Sequence, residues 1–282
     1  MKKLIALLLA VTMMFALTAC GGEKAEYANR LEEIKARGVL TVATEPYFAP
    51  NEFIDPSKEG DEKYVGADIE FAKYIADKLG VELQIVPLEF TAVLSSVAEG
   101  KYDLAISALA YKPDRAEAMN LSKGYYFDED TEGYGMLCRT EDVDKYPDAA
   151  SMKDAVIVVQ AGSLQQDHVM SQIPEYKEIK YVSSMTDAFL MVQENKADLA
   201  ACFIGNGRLY SDANPGVNIV NGFKFEENKE WGGTRIGMKK GEDELTAEIN
   251  AIIDEVIASG AYAKWYDDYA AYAAKLGLYS GR

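Results

Sequence analysis

Histidine and cysteine are scarce in this sequence, which has one histidine and three cysteines among 282 residues. A single histidine, His168, excludes metal sites built on two or more histidines, and we expect it to be a surface or packing residue. Three thiols are too few for a disulfide scaffold or a cysteine-rich metal cluster. Cys138 and Cys202 lie in apolar, strand-like segments. We expect both to be free and buried, with one bridge between them as the alternative in an oxidising compartment.

Basic residues are also scarce. The sequence has 29 lysines and arginines but 46 aspartates and glutamates, which gives a net charge of −17 at pH 7. Such a surface argues against nucleic-acid partners and against broad contact with anionic lipid. Beyond the first twenty residues there is no apolar run long enough to span a bilayer. We expect a soluble body of about two domains.

The first twenty residues have the pattern of an export signal. Lys2 and Lys3 precede a short apolar run, and Leu17-Thr18-Ala19-Cys20 follows it. This pattern resembles a bacterial lipoprotein signal, in which the cysteine is acylated, and a plain secretory signal is the alternative. We predict a signal peptide over residues 1–19, lipidation of Cys20 and a tether over residues 20–27. The body is then anchored to the cell membrane on its extracytoplasmic face.

Further along, short runs rich in β-branched residues alternate with segments of helical period, which is typical of α/β architecture with mainly parallel strands. One unit recurs, since the segment from Glu99 to Ala105 (EGKYDLA) has a counterpart from Glu194 to Ala200 (ENKADLA). A periodic helix precedes both segments and a buried strand follows. The repeat predicts two similar α/β lobes, in which Asp103 and Asp198 act as cap or turn residues.

Ligands of open α/β sheets bind at the carboxyl ends of strands. Here the corresponding loops begin at Ala43, Ser107, Gln160 and Phe203. Two facing lobes would bring these loops to one cleft. The turn from Gln160 to Ser163 opens a helix, where backbone N–H groups favour an anion. Arg115 suits a carboxylate, because a guanidinium binds one through two parallel hydrogen bonds.

Several ordered motifs together resemble the family 3 extracellular solute-binding proteins, the polar amino-acid receptors of ABC importers. The matching segments are VGADI at 65–69, EGKYD at 99–103, ISA at 106–108 with PDR at 113–115, VQAGS at 159–163, and the C-terminal run from Lys240 to Trp265. The resemblance implies a two-lobed periplasmic-binding-protein-like (type II) fold with two hinge strands. Lobe 1 would comprise residues 28–132 and 225–282, and lobe 2 residues 133–224.

The resemblance also implies a ligand site. Arg115 matches the arginine that grips the ligand α-carboxylate, Ser107 and Ala108 match its neighbours, and Glu45 matches an acidic position that faces a polar or cationic group. The other matching positions are two aromatic walls and the helix-opening turn, namely Phe48, Phe90, Gly162 and Ser163.

Three positions depart from the family pattern. Ala110 and Leu164 stand where hydroxyl residues assist the carboxylate, and Phe203 stands where an aspartate binds the α-ammonium. A buried cation without a partner is costly, so either Glu45 or another group such as Asn206 serves, or the ligand lacks the ammonium. Strand-end packing is the alternative role for Phe203.

The sequence therefore predicts a monomeric, lipid-anchored binding protein without cofactor. It would capture an amino acid or related small carboxylate and deliver it to an ABC permease and its ATPase. The alternatives are an exported dehydratase-like enzyme acting on a cyclic carboxylate and a ligand-sensing lipoprotein. We expect a solvated rim at Asp128, Asp130 and Glu132. A calcium site is the less favoured alternative, because the segment has neither the number of ligands nor the glycine turn of a calcium-binding loop. We expect a C-terminal aromatic stripe to pack within a lobe: Tyr262, Trp265, Tyr266, Tyr269 and Tyr272.

Overall fold

The structure is a computed structural model that describes residues 27–127, 133–228 and 232–276. The predicted signal peptide, the predicted lipidation site Cys20, nearly all of the predicted tether and the acidic group at 128–132 lie outside the described residues. No helix within the described ranges is long and apolar enough to cross a membrane.

The described residues form thirteen strands, which we number along the chain. They are β1 (Val39–Thr44), β2 (Tyr47–Phe48), β3 (Glu52–Ile54), β4 (Tyr64–Val65), β5 (Glu82–Pro87), β6 (Leu104–Ala110), β7 (Met119–Leu121), β8 (Tyr134–Arg139), β9 (Val156–Gln160), β10 (Glu178–Val182), β11 (Leu199–Phe203), β12 (Val217–Ile219) and β13 (Thr234–Lys239).

Nine α-helices are present in the same ranges, together with short 3₁₀ turns. They are α1 (Arg30–Arg37), α2 (Ala67–Leu79), α3 (Phe90–Ala98), α4 (Pro113–Ala118), α5 (Leu164–Gln172), α6 (Met185–Gln193), α7 (Ile204–Ala213), α8 (Asp243–Ser259) and α9 (Ala261–Lys275). Gly80 ends α2 in the left-handed conformation, with a φ of 70°, where glycine has no Cβ penalty.

Two five-stranded sheets share one plan. The first has the order β5-β1-β6-β13-β7 and the second the order β10-β9-β11-β8-β12. In each sheet three parallel strands come first, and the fourth strand runs antiparallel to its neighbours. We call the unit on the first sheet lobe 1 and the unit on the second sheet lobe 2. This arrangement confirms the predicted two-lobed α/β fold.

Each sheet is buried on both faces, as parallel sheets are. Along β6, Leu104 and Ile106 pack with α2 and α8, whereas Ala105 and Leu109 pack with α3 on the other face. A third, small sheet of β2, β3 and β4 belongs to the first half of the chain. Its Phe53 belongs to the same apolar cluster as residues of the lobe 2 core, and the Phe53 ring contacts Tyr269 and Tyr272 on α9.

The two internal cysteines are free thiols. Cys138 on β8 faces one core of lobe 2 and Cys202 on β11 faces the other. Because the two side chains lie on opposite faces of one sheet, they cannot form a disulfide. The alternative of a bridge is therefore wrong.

The repeated aspartates have equivalent structural roles. Asp103 accepts a hydrogen bond from the Thr41 N–H at 2.7 Å and from Arg30 Nε at 2.6 Å. Asp198 accepts from the Val156 N–H at 2.9 Å and from Arg139 Nη2 at 3.1 Å. Each carboxylate thus binds the backbone of a neighbouring strand and an arginine. Both residues are structural, but these bonds reach distant segments and are not the local cap or turn bonds that the sequence predicted.

Candidate functional site

A cavity of about 800 Å³ lies between the lobes, at the carboxyl ends of their strands. Its wall contains nine of the ten residues predicted from the sequence: Glu45, Phe48, Phe90, Ser107, Ala108, Arg115, Ser163, Phe203 and Asn206. The tenth, Gly162, lies beside it, because its carbonyl oxygen accepts a hydrogen bond from Arg115 at 3.1 Å. The four loops predicted from strand ends therefore converge on one site.

Arg115 is the cation of this cavity. Its side chain starts from α4, and the residue is only 5 % exposed. Nη1 donates to the Ala110 carbonyl of lobe 1 at 2.6 Å, Nη2 donates to Gly162 of lobe 2, and the guanidinium lies 5.6 Å from the centre of the Phe90 ring. Burial lowers the pKa of Arg115 to about 10. No described carboxylate forms an ion pair with it, so its charge is left for another partner.

Glu45 brings an acid to the same cavity from the loop after β1. The residue is 2 % exposed, and Oε1 has no hydrogen-bond partner among the described atoms. Burial raises the pKa of Glu45 to about 8. A buried carboxyl with an unused oxygen can accept a hydrogen bond from a donor or cation that enters the cavity.

Two further acids of lobe 1, Glu52 and Asp68, lie close to Glu45, and Glu52 also lines the cavity. Ser107 Oγ donates to Glu52 Oε1 at 3.0 Å. Asp68 accepts from the hydroxyls of Tyr125 and Tyr262. Burial raises the pKa of both acids, and their proximity adds to the shift of Glu52. Sequence reasoning missed this cluster because its members are far apart along the chain.

The predicted donors of lobe 1 are already engaged by this acidic cluster. The Ala108 N–H donates to Asp68 Oδ2 at 2.8 Å, and the Ser107 hydroxyl uses its single proton on Glu52. Ser107 Oγ in turn accepts from the Glu45 N–H at 3.0 Å. Ala108 has a φ of 47°, a left-handed conformation that its bond to Asp68 helps to hold. These groups position the loops around Arg115.

In lobe 2, the turn before α5 is likewise satisfied internally. The Ala161 N–H donates to Val182, the Gly162 N–H to Gln166 Oε1 and the Ser163 hydroxyl to the Gln160 carbonyl. Ser163 is the N-cap of α5. The sequence suggested backbone N–H groups for an anion at this turn, but those of residues 161 and 162 are occupied by protein acceptors.

Phe203 belongs to an aromatic cluster in the lobe 2 wall. Its ring meets the Tyr134 ring edge to face at 5.4 Å, and Tyr134 lies 5.1 Å from the ring of His168. His168 stacks on Phe225 at 5.3 Å and lines the cavity. The packing role suggested for His168 is thus correct, but sequence reasoning gave no signal that it borders the site.

Three residues of the C-terminal aromatic stripe, Tyr262, Trp265 and Tyr266, pack in the core of lobe 1. Tyr269 and Tyr272 pack against Phe53 of the small sheet. Tyr262 is buried in the lobe 1 core, whereas Tyr266 stacks on Tyr126 at 4.7 Å and lines the cavity. The spacing of these aromatic residues predicts that one helix face is packed. It does not predict which of the rings borders the cavity.

Direct contacts join the two lobes around the cavity. Lys112 Nζ lies 2.7 Å from Asp167 Oδ2, and Asn206 Nδ2 donates to the Ala49 carbonyl at 2.8 Å. With the Arg115–Gly162 bond, they hold the lobes together on the side of the ligand loops.

Comparisons with known proteins agree with this geometry. The model of bacterial extracellular solute-binding proteins, family 3, matches residues 40–272. The arginine-binding extracellular protein ArtP of Bacillus subtilis (strain 168) is 26 % identical over 267 residues, which are 94 % of this chain and 96 % of that protein.

Two solved structures have the same fold. The amino acid ABC transporter substrate-binding protein AbpA from Streptococcus pneumoniae, bound to L-arginine, is 27 % identical with a TM-score of 0.76, over 88 % of this chain and 99 % of its own. The ancestral amino acid-binding protein AncCDT-1, a precursor of cyclohexadienyl dehydratase, is 25 % identical with a TM-score of 0.72, over 86 % and 99 %. The resemblance drawn from the motifs is confirmed, and the chain belongs to the family 3 bacterial extracellular solute-binding proteins.

Proposed function

We propose that this protein captures an L-amino acid by closure of its lobes and presents it to an ABC permease. The observation that carries the proposal is Arg115, a buried guanidinium in the cavity that bonds both lobes yet has no described carboxylate partner. A ligand carboxylate would pair with this guanidinium through charge-assisted hydrogen bonds, which are strong in a site from which water is excluded. Arginine- and amino-acid-binding relatives support this ligand class.

Glu45 supplies the acidic partner for the ligand ammonium in this proposal. Phe203 occupies the strand end where the family pattern has an aspartate, and its ring packs on Tyr134. Glu45 has an unused carboxyl oxygen in the same cavity. A bound ammonium favours the charged carboxylate, and the complex then contains two matched ion pairs.

Closure follows from contacts that need both lobes. Each lobe alone offers only part of the ligand shell, so the closed form gains free energy from the ligand that the open form lacks. Delivery to a permease, acylation of Cys20 and attachment to the membrane complete the proposal. The motifs at residues 2–20 and the family membership support these last steps.

The test is a thermal-shift screen of the purified protein after unfolding and refolding to remove carried ligand. The probes are the L-amino acids and matched carboxylates without the amine. A true ligand at 100 times its Kd adds about 2.7 kcal/mol to the free energy of unfolding, or about 5–10 °C in Tm. We expect such a shift from at least one amino acid and its loss in Arg115→Ala.

Arg37→Ala is the control, because Arg37 also donates to a backbone carbonyl but lies on α1, away from the cavity. It loses its ion pair with Asp103, so the Tm of the ligand-free variant should fall. It should keep the ligand-induced shift. The proposal is overturned if no amino acid stabilises the protein, or if Arg115→Ala responds as well as the wild type.

A dehydratase-like enzyme is the second candidate. It is favoured by Glu45, whose raised pKa leaves a buried proton donor in the cavity, and by the similarity to a precursor of cyclohexadienyl dehydratase. Stabilising cyclic carboxylates should therefore be incubated with the protein and analysed by mass spectrometry. Loss of water from the compound, abolished in Glu45→Gln, would establish catalysis; an unchanged compound identifies a receptor.

A further inference from the structure

A hydrogen-bond chain in lobe 2 fixes the proton of the single histidine. Gln172, on the last turn of α5, makes two bonds with the backbone of Glu226. Its Oε1 accepts from the Glu226 N–H at 2.8 Å and its Nε2 donates to the Glu226 carbonyl at 2.8 Å. If the amide were turned by 180°, its NH₂ group would face the Glu226 N–H and its oxygen would face the Glu226 carbonyl. Neither pair can form a hydrogen bond, so the Gln172 side chain has one orientation.

This orientation determines the tautomer of His168. Gln172 Nε2 lies 3.1 Å from His168 Nδ1 and can only donate to it. Nδ1 therefore carries a lone pair, and in the neutral imidazole the proton sits on Nε2. Burial lowers the pKa of His168, which keeps the ring neutral.

The resulting Nε2–H group has no acceptor in the described part of the chain. The residue is 6 % exposed and lines the cavity, with its ring between Phe225 and Tyr134. A buried donor without an acceptor costs about 1–3 kcal/mol. The stacked ring and the Gln172 bond prevent His168 from turning away to avoid that cost.

We propose that His168 determines specificity by donating its Nε2–H to an uncharged oxygen acceptor on the ligand side chain, with an amide carbonyl as the best match. The inference rests on the proposed function, since it assigns a second contact to an amino acid whose carboxylate binds Arg115.

The charges of the cavity decide which kind of acceptor fits. Among the described lining residues, Arg115 is the only lysine or arginine. Glu45 and Glu227 also line the cavity, and Asp167 is the chain neighbour of His168. A second carboxylate would therefore be buried near acids without a cation of its own, which is costly. An uncharged carbonyl avoids this penalty.

Calorimetric titration of the refolded, untagged protein tests the inference with four groups of probes. The first group is the amides L-glutamine and L-asparagine. The second is L-norleucine, which has an apolar side chain of similar length to that of glutamine, and the third is L-glutamate, which has a charged one. The fourth is L-arginine and L-lysine, whose side chains have no acceptor. We expect one of the amides to bind at least about tenfold more tightly than the other groups, the difference expected when a buried donor is left unpaired.

His168→Phe keeps a stacked ring without the donor. It should weaken amide binding by about tenfold and leave norleucine within about threefold of wild type. His168→Gln restores an N–H donor and should recover part of the amide affinity, which separates donation from a folding defect. Gln172→Met should also weaken amide binding, whereas Gln193→Met, on α6, should not.

The tautomer can be read directly, because ¹⁵N-histidine labelling of this chain yields one imidazole. We expect an unprotonated Nδ1 and a protonated Nε2; the reverse tautomer overturns the inference. Preference for L-arginine or L-lysine, or equal effects of His168→Phe on amides and norleucine, overturns it while leaving the proposed function intact. Failure of every amino acid to bind overturns both.

Discussion

Lobe 1 and lobe 2 share a strand plan but contribute different chemistry to the cavity. Lobe 1 supplies most of the charged groups, with Arg115, Glu45 and Glu52 in the wall. Lobe 2 supplies mainly uncharged groups, chiefly His168 and Phe203, with Glu227 as its charged residue among those described. The backbone plan therefore fixes where a ligand binds, and the residues at the strand ends decide what it is. Three experiments probe this difference between the lobes.

The largest effect is expected from the repeated aspartates, which support the two lobes unequally. The Asp103 side chain is fully buried and bonds Arg30, Arg37 and Thr41. Asp103→Ala removes the acceptor of the Thr41 N–H and hydroxyl and one acceptor of each arginine, which both keep a weaker pair with Glu33. We expect a loss of about 2–4 kcal/mol in the free energy of unfolding.

Asp198 is 28 % exposed at its side chain, and its partner Arg139 also pairs with Asp142 at 2.8 Å. Asp198→Ala should therefore cost only about 1–2 kcal/mol. Urea unfolding of both ligand-free variants measures the difference. Equal losses would mean that the repeat supports both lobes equally.

A pH effect of intermediate size should arise in lobe 1 from Glu45. Its pKa is about 8 in the folded protein and 4.5 when unperturbed, so between these values the folded state holds a proton that the unfolded state has lost. The resulting stability is complete below pH 4.5 and is lost as pH rises through 8, with a slope of up to about 1.4 kcal/mol per pH unit.

Glu45→Gln removes this contribution, so its unfolding free energy should fall less steeply with pH than that of the wild type. Denaturant unfolding of both ligand-free proteins from pH 5 to pH 8 measures the two slopes. A residual slope is expected in the variant, because burial also raises the pKa of Glu52. Identical slopes would show that Glu45 is ionised throughout.

The smallest effect should come from the ion pair that joins the lobes. Lys112 is buried, but Asp167 is 39 % exposed at its side chain, so the pair is partly screened and worth about 0.5–1 kcal/mol. Asp167→Asn should weaken ligand binding about threefold at low salt, because the contact exists only when the lobes meet. Titration calorimetry measures this change.

Asp268→Asn is the matched control, since it removes an ion pair with Lys264 within one helix, α9. It should leave ligand affinity unchanged. A similar loss of affinity in both variants would contradict a special role for the contact between the lobes.

The sequence was sufficient for the features that depend on local pattern. The Glu99–Ala105 repeat predicted two lobes, and the strand ends predicted which loops meet. Arg115 was identifiable because an arginine after a turn at Pro113 matches a known motif. These signals are short-range or periodic, and the fold then places them together.

Features that depend on distant pairing could not be found in the sequence. Glu52, Asp68 and Tyr262 meet only after β3, α2 and α9 have packed, and no spacing links them. The tautomer of His168 depends on a Gln172 amide held by the backbone of Glu226. Such hydrogen bonds follow from tertiary structure, and the local pattern around each residue is ordinary.

The place of β13 in the first sheet has a consequence for the order in which the lobes are completed during synthesis. All strands of the second sheet lie between residues 134 and 219, whereas β13, at residues 234–239, sits between β6 and β7. The second sheet can thus form during synthesis before β13 is available to join β6 and β7 in the first sheet. Asp68 obtains its hydrogen bond from Tyr262 only after α9 has been synthesised. Because Asp68 also holds the Ala108 N–H, the last described helix completes the hydrogen bonds that support a ligand loop of lobe 1.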